Sequence, residues 1–291
     1  TAVCALAYWL AGMTVFDAIC HSFSTVAIGG FSTHDASMGH FQSPLIEMIA
    51  IVFMFISGVN FSLHFMGWRA RSIGSYLLDS EFKAYTSGLL ALTLIVLIYL
   101  YATGYYATLG DTFSKGLFQV VSVATTTGFT TDNFAAWPGA LPVLLLFSSF
   151  IGGCAGSTAG GMKVMRWLLI YKQGVREVRR LIHPSAAIPV KLGSKAVHYQ
   201  VVDAVWGFFS LYIVVFGIIM VLLLALGLDQ VSAFAAVAAS LNNLGPGLGE
   251  VAHGFDTLVD PAKWLAVIAM LLGRLEIFTL LVLITPTFWR R

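Results

Sequence analysis

Five stretches of this chain are apolar on every face over roughly the length needed to cross a lipid bilayer, and that property leaves few folds open. They run from Pro44 to Met66, Ala84 to Gly104, Pro142 to Leu169 with an interruption, Val201 to Gly227, and Ala262 to Ile284. A sixth, Thr1 to Gly12, is long enough for half a crossing. A large soluble helical core is the alternative, but its surface helices would carry a polar stripe, and LLALTLIVLIYLYATG has none. Charged residues make up 10% of the chain and apolar ones 58%, too few polar groups to clothe a soluble domain of 291 residues. The expected class is an all-α integral membrane protein embedded in a lipid bilayer.

The basic residues divide by side. Arg69, Arg71 and Lys83 lie between the first and second full spans, and Arg290 and Arg291 end the chain. Lys163, Arg166, Lys172, Arg176, Arg179, Arg180, Lys191 and Lys195 lie between the third and fourth. These thirteen of the sixteen Lys and Arg mark the cytoplasmic side by the positive-inside rule. Lys115 and Lys263 fall opposite, and Arg274 sorts to neither side because it sits well inside the last apolar segment. The basic connection from Lys163 to Lys195 abuts spans, so it reads as positive-inside sequence or a docking surface and not as a nucleic-acid site. The cysteines Cys4, Cys20 and Cys154 form no disulfide framework or metal knuckle, and the seven histidines show no ligand spacing. No Ser–His–Asp or paired-carboxylate arrangement shares one depth, so no enzyme activity and no cofactor are expected.

Three outward-side connections repeat one pattern: TVFDAICHSFSTVAIGGFST, TFSKGLFQVVSVATTTGFTT and DQVSAFAAVAASLNNLGPGL. Each starts with a residue able to cap a helix (Thr14, Thr112, Asp229) sixteen residues before a glycine (Gly30, Gly128, Gly245). A helix too short to span then leads into an extended, Gly-containing run. Non-helical backbone at membrane depth is tolerated where it is buried in protein or lines a watery cavity. Its carbonyls can replace an ion's water shell, and the negative end of the short helix favours a cation. The candidate carbonyl-bearing residues are Ala27, Ile28, Gly29 and Gly30; Thr125, Thr126, Thr127 and Gly128; and Asn242, Asn243, Leu244 and Gly245. The competing reading is three ordinary extracellular turns, since Thr, Asn and Gly also suit turns. Asp35, Asp132, Glu250 and Asp256 either give an outer vestibule a negative potential or form a solvated face.

Two features fall outside that repeat. IGGCAGSTAGG, residues 151–161, holds five glycines in mid-membrane sequence, which does not favour a continuous helix. It reads as a broken span or as a close-packed helix interface. A phosphate-binding loop is excluded because Met162 separates the last Gly from Lys163 and no strand precedes it. Arg274 is an intramembrane charge that faces either a cavity or a salt-bridge partner on another helix, and Glu276 points to a different helix face.

STVAIGGFST, ATTTGFTT and ASLNNLGPG resemble filter segments of the Trk/Ktr/HKT superfamily of potassium transporters, closest to the bacterial Trk-type potassium-uptake membrane subunit. The resemblance covers essentially the whole chain. It implies repeated units of helix, pore helix, filter loop and helix around a pseudo-fourfold pore, with Gly30, Gly128 and Gly245 as filter glycines of the second to fourth units. On that basis residues 1–67 form the second unit with a truncated first helix, 84–180 the third with an interrupted second helix, and 201–291 the fourth. Residues 68–83 and 181–200 are cytoplasmic linkers. The first unit is expected in an N-terminal part of the same chain, these residues being the C-terminal portion.

The resemblance further implies that Gly152, Gly153, Gly156, Ser157, Gly160, Gly161 and Arg274 form an intramembrane gate below the filter. It implies a potassium-uptake subunit of the bacterial inner (plasma) membrane, homodimerisation, and a peripheral cytoplasmic nucleotide-binding regulatory subunit. Glycine in all three filters argues for potassium, because serine there is the family's sign of sodium tolerance. Sodium or mixed-cation passage, or potassium symport coupled to protons or sodium, is the alternative. A membrane enzyme and a non-transporting structural subunit are the competing classes.

Overall fold

The fold is set by helices whose lengths follow the apolar runs and whose ends follow local capping chemistry. In this computed structural model, residues 1–186, 188–193, 195–275 and 277–289 are described. Glu276, Arg290 and Arg291 of the sequence reading lie outside them. Among the described residues, two helices are long and apolar enough to cross a bilayer unbroken, Ser80–Thr103 and Tyr199–Ala225. At 24 and 27 residues they exceed the roughly 20 that a bilayer core requires. Both leave most of their surface unpacked, as lipid-facing helices do.

Each of three units places a re-entrant helix between two outer helices. The first contains α1 (Ala2–Leu10), the pore helix α2 (Val15–Val26), α3 (Pro44–Ser57) and α4 (Phe61–Ala70). Next come α5 (Gly74–Leu78), α6 (Ser80–Thr103), the pore helix α7 (Leu109–Ala124), α8 (Leu141–Ser149) and α9 (Val164–Ile182). A hairpin of β1 (Lys191–Leu192) and β2 (Lys195–Ala196) leads to α10 (Tyr199–Ala225), the pore helix α11 (Gln230–Leu241), α12 (Asp260–Arg274), α13 (Ile277–Ile284) and α14 (Pro286–Trp289). The pore helices carry the core. In α7 Phe118, Val120, Val121 and Val123 are buried, and in α11 Ala233 and Ala235 to Ala239 are buried, small side chains that let neighbouring backbones approach.

The structure corrects several boundaries. The span expected from Pro44 to Met66 is two helices bent by 92°. Gly58 ends α3, and Asn60 restarts the chain as α4 by accepting the Ser62 amide at 2.8 Å. The expected linker 68–83 holds the end of α4, all of α5 and the start of α6. The linker 181–200 holds the hairpin. The last apolar segment, expected as one helix to Ile284, breaks after Arg274, which is therefore the final residue of α12 and not an interior one.

Thr112 is not a cap. Helix α7 starts one turn earlier, capped by Thr108, whose hydroxyl oxygen accepts the Asp111 amide at 3.0 Å, and Thr112 donates back to the Thr108 carbonyl at 2.9 Å. Thr14 and Asp229 do cap α2 and α11.

Candidate functional site

All three pore helices end in the same way. The amides of Ala27, Thr125 and Asn242 close the last helical turn onto Phe23, Val121 and Ala238. The next residue in each turns left-handed, at φ 53° for Ile28, 65° for Thr126 and 56° for Asn243. The residue after that returns its amide to the helix: Gly29 to the Ser24 carbonyl, Thr127 to Ser122 and Leu244 to Ala239, each at 2.8 Å. This is the Schellman pattern of helix termination. It commits the amides of each loop backwards and leaves most of the carbonyls uncommitted; Thr125 and Asn242 are the exceptions, their carbonyls accepting the Thr126 hydroxyl and the Gly161 amide. In the hydrogen bonds of the described residues, none of the carbonyls of residues 27–30, 126–128 and 243–245 is an acceptor. The shared backbone trace distinguishes these segments from unrelated turns.

The loops stand side by side. A Cβ on Gly30, where φ is +70°, would lie 2.1 Å from the Thr127 carbonyl oxygen. A Cβ on Gly128, where φ is +84°, would lie 1.9 Å from the Leu244 carbonyl oxygen. Only glycine permits both the dihedral and the approach at these two positions. The second loop thus touches the third and the third touches the fourth, whereas the corresponding side of Gly245 faces open space.

A cavity of about 1060 Å³ follows the loops from Asp35, Asp132 and His253, past Ile28 to Gly30, Gly128 and Leu244 to Pro246, down to Met270 and Arg274. Asp35 and Asp132 line it, while Glu250 and Asp256 do not. Asp132 shares its charge with Lys115, whose ammonium is 3.9 Å away, and accepts the Tyr106 hydroxyl. Burial, reinforced by the neighbouring carboxylate, pushes the Tyr106 phenol well above its usual range. The three α-helical C-termini of the pore helices converge on this cavity's loops with their partial negative charge.

Below the loops, the glycine-rich run does break its span. Helix α8 stops at Ser149 and α9 resumes at Val164. Between them Thr158 donates its hydroxyl to the Val26 carbonyl at 2.9 Å, Gly160 donates its amide to the Thr126 hydroxyl at 2.6 Å, and Gly161 donates to the Asn242 carbonyl at 3.2 Å. The run therefore touches all three pore segments. Of the sequence-derived residues, Gly160 and Gly161 make these contacts. Gly152, Gly153, Gly156 and Ser157 shape the loop and seat it on the α3–α4 bend. The Gly156 carbonyl accepts the Phe61 amide at 3.1 Å, Gly153 packs on the Gly58 carbonyl, and Ser157 donates to the Cys154 carbonyl at 2.6 Å.

Arg274 reaches this loop, donating to the Thr158 carbonyl at 3.1 Å from the end of α12. Lys163, read from sequence as an ordinary cytoplasmic charge, is half-buried and turns its ammonium onto the carbonyls of Ser157 and Ala159. Three consecutive carbonyls thus meet two cationic side chains. Glu81, which sequence reasoning passed over, is buried at the start of α6. Its Oε1 accepts the amides of Ala155 at 2.6 Å and Met165 at 3.0 Å. An acid in the first turn of an apolar span was the available signal. Among the described residues, no group of three or more His, Cys, Asp or Glu side chains is placed to hold a metal ion.

Comparison with known proteins agrees with this fold. The family model TrkH, described as a cation transport protein, matches residues 1–290. The chain is similar to a Trk system potassium uptake protein TrkH of Vibrio parahaemolyticus, 58% identical over 292 residues, covering 100% of this chain and 60% of that protein. It is 55% identical to the TrkH of Escherichia coli K12 over 290 residues and 40% identical to the TrkG of the same strain over 287, covering 60% and 59% of those proteins. The crystal structure of the potassium transporter TrkH from Vibrio parahaemolyticus superposes with a TM-score of 0.95 at 58% identity, covering 99% of this chain and 62% of that one. The chain spans about 60% of the length of these curated relatives.

Proposed function

The chain belongs to the TrkH family of cation transport proteins, and from that premise we propose that it supplies three of the four filter loops of a potassium-uptake pore in the bacterial inner membrane. The observation that carries this reading is the repeated loop: three helix ends with the same left-handed residue, the same returned amide and uncommitted carbonyls at the three positions that follow the helix cap. Such carbonyls substitute for the hydration shell of a monovalent cation, which is how backbone filters pass ions. The relatives' names, Trk system potassium uptake proteins, supply the ion. The chemistry is passage and not catalysis, and no cofactor is required.

The open side of Gly245 supports a fourth loop completing the ring. The relatives' additional length is its proposed source.

A cation entering from outside passes Asp35 and Asp132, loses water at the loop carbonyls, and reaches the part of the cavity lined by Met270 and Arg274, the latter bonded to Thr158. There it meets a loop whose Ser157, Thr158 and Ala159 carbonyls are occupied by Lys163 and Arg274. Their two positive charges oppose a resting cation, and the loop obstructs its path. Passage then requires the loop to move. The basic residues of α9 and the hairpin, Lys172, Arg176, Arg179, Arg180 and Lys191, offer a cytoplasmic face for a nucleotide-binding regulatory subunit. A homodimer is the assembly proposed.

The test is complementation and flux. The full-length protein carrying this chain should restore growth of a potassium-uptake-deficient bacterium on limiting potassium. Arg274→Gln should raise potassium flux in vesicles at equal protein level. Failure of the full-length protein to move any monovalent cation would overturn the reading, and an Arg274→Gln effect confined to expression would remove Arg274 from the gate.

A further inference from the structure

The gate loop is hydrogen-bonded to the filter itself, through groups that also hold the filter's shape. Thr126 is a fully buried, β-branched residue in the left-handed region at φ 65°, a conformation such residues rarely adopt and that marks a position held by its surroundings. Its hydroxyl donates to the Thr125 carbonyl at 2.5 Å and accepts the Gly160 amide at 2.6 Å. A hydroxyl has one proton to give, so accepting from the gate and donating to the filter are the two ends of one polarised chain. That chain runs from the Gly160 N–H through Thr126 to a filter carbonyl.

A second contact lies one residue on. The Gly161 amide donates to the Asn242 carbonyl at 3.2 Å. The Asn242 side chain, fully buried, accepts the Tyr212 hydroxyl at 2.6 Å and donates to Ser149 Oγ at 3.0 Å. Ser149 is the last residue of α8, where the loop departs. The fourth filter segment is therefore pinned to both the start and the end of the gate run. The fit leaves no spare room, because a Cβ on Gly160 would stand 2.1 Å from the Asn242 carbonyl oxygen and 3.0 Å from Thr126 Oγ1.

We propose that the Thr126 hydroxyl and the Asn242 carbonyl latch the gate loop to the third and fourth filter segments, so that displacing the loop loosens the filter and lowers its discrimination between potassium and sodium. Thr126 is then a positioning residue: it acts on ion choice through the Thr125 carbonyl and the seated loop. The inference rests on the reading that these loops form a cation filter with residues 150–163 as its gate. It adds that gate and filter do not move independently.

The experiment measures potassium and sodium fluxes of the full-length protein in proteoliposomes, with Thr126→Val, Thr126→Ser and Gly160→Ala as variants. Thr126→Val removes the hydroxyl at nearly constant volume, and Gly160→Ala unseats the loop without touching the filter sequence. Both should raise total flux and reduce the potassium-to-sodium ratio by roughly five- to tenfold, the equivalent of about one net hydrogen bond. Thr126→Ser, which restores the hydroxyl, should recover the ratio relative to Val. Should Thr126→Val fail to assemble, Gly160→Ala reads the same coupling alone. A rise in flux at the unaltered ion ratio overturns the proposal, as do wild-type flux and ratio in both variants, or a serine variant that behaves like valine. A wild-type protein that moves no potassium would instead overturn the filter reading beneath it.

Discussion

Glu81 holds Ala155 by a hydrogen bond of 2.6 Å from the loop amide to the carboxylate, and the same oxygen accepts Met165 beyond the loop at 3.0 Å. One buried acid thus ties the middle of the loop and the start of α9 to the start of α6. Removing it strands two backbone amides away from water. Hydrogen bonds to a charged group are worth about 1.5–3 kcal/mol, and an unsatisfied buried donor forfeits its full desolvation. Glu81→Ala should therefore destabilise the folded protein by roughly 3 kcal/mol. Glu81→Gln, which keeps an acceptor oxygen, should cost about 1 kcal/mol. Thermal unfolding in detergent measures the difference, and equal losses in the two variants would show that the two amides do not depend on the oxygen.

Gly128 is the tightest point between neighbouring loops, with a Cβ position 1.9 Å from the Leu244 carbonyl oxygen and a φ of +84°. Gly128→Ala must push the third and fourth loops apart, in addition to straining its own backbone. In the full-length protein this should abolish potassium discrimination in flux assays while the helices stay intact by circular dichroism. Gly227 is the control, since its φ of +99° is strained for alanine yet nothing lies within 4 Å and it stands outside the loops. Gly227→Ala should perturb the loops less than Gly128→Ala. The opposite ranking would contradict the packing of the third loop on the fourth.

What the sequence made readable was repetition and hydrophobic length, and what it hid was anything decided by a neighbour in space. The two unbroken spans, the three pore helices and the glycine positions follow from periodicity and apolar runs within one segment. The 92° bend after α3 does not, because its cause is partly the Tyr85 hydroxyl and the Cys154 amide meeting Gly58 from elsewhere in the chain. Lys163 looked like one more cytoplasmic charge, and only the folded loop brings the Ser157 and Ala159 carbonyls to its ammonium. Thr158 carried no signal among the glycines around it, yet its side chain and carbonyl make the contacts to Val26 and Arg274. Arg274 stood out by composition, but its place at the end of α12 depends on the helix stopping there, which the single Gly273 beside it does not by itself announce.

Thr108 and Thr112 exchange the roles that equal spacing suggested, and the exchange is measurable. Thr108 accepts the Asp111 amide and donates to the Asp111 carboxylate at 2.7 Å, a reciprocal arrangement that starts α7 a turn early. Thr108→Ala should destabilise by about 1 kcal/mol, the usual loss of an N-cap. Thr112 lies inside the helix with its hydroxyl folded back on the Thr108 carbonyl, so Thr112→Val should stay within roughly 0.5 kcal/mol. Denaturation of the two variants side by side separates them, and a larger loss at Thr112 would restore the sixteen-residue spacing as the true cap register.

Asp229, at the outer start of α11, ties acidity to the fourth pore helix. Its carboxyl is held below the ordinary range by the Ser232 hydroxyl and amide and by the Val231 amide, which it meets at 2.9 Å. A carboxyl whose pKa is lowered on folding stabilises the fold above its unfolded pKa and loses that contribution as pH falls through the folded value. Acidification below the normal carboxylate range should therefore weaken the start of α11 in the wild-type protein. Asparagine caps helices about as well as aspartate but does not titrate. Asp229→Asn should match the wild type in cap strength at neutral pH and lack this acid-dependent component, read as a smaller loss of thermal stability between neutral and acidic buffer. An identical acid dependence in the two proteins would place the titrating group elsewhere and leave Asp229 as a cap alone.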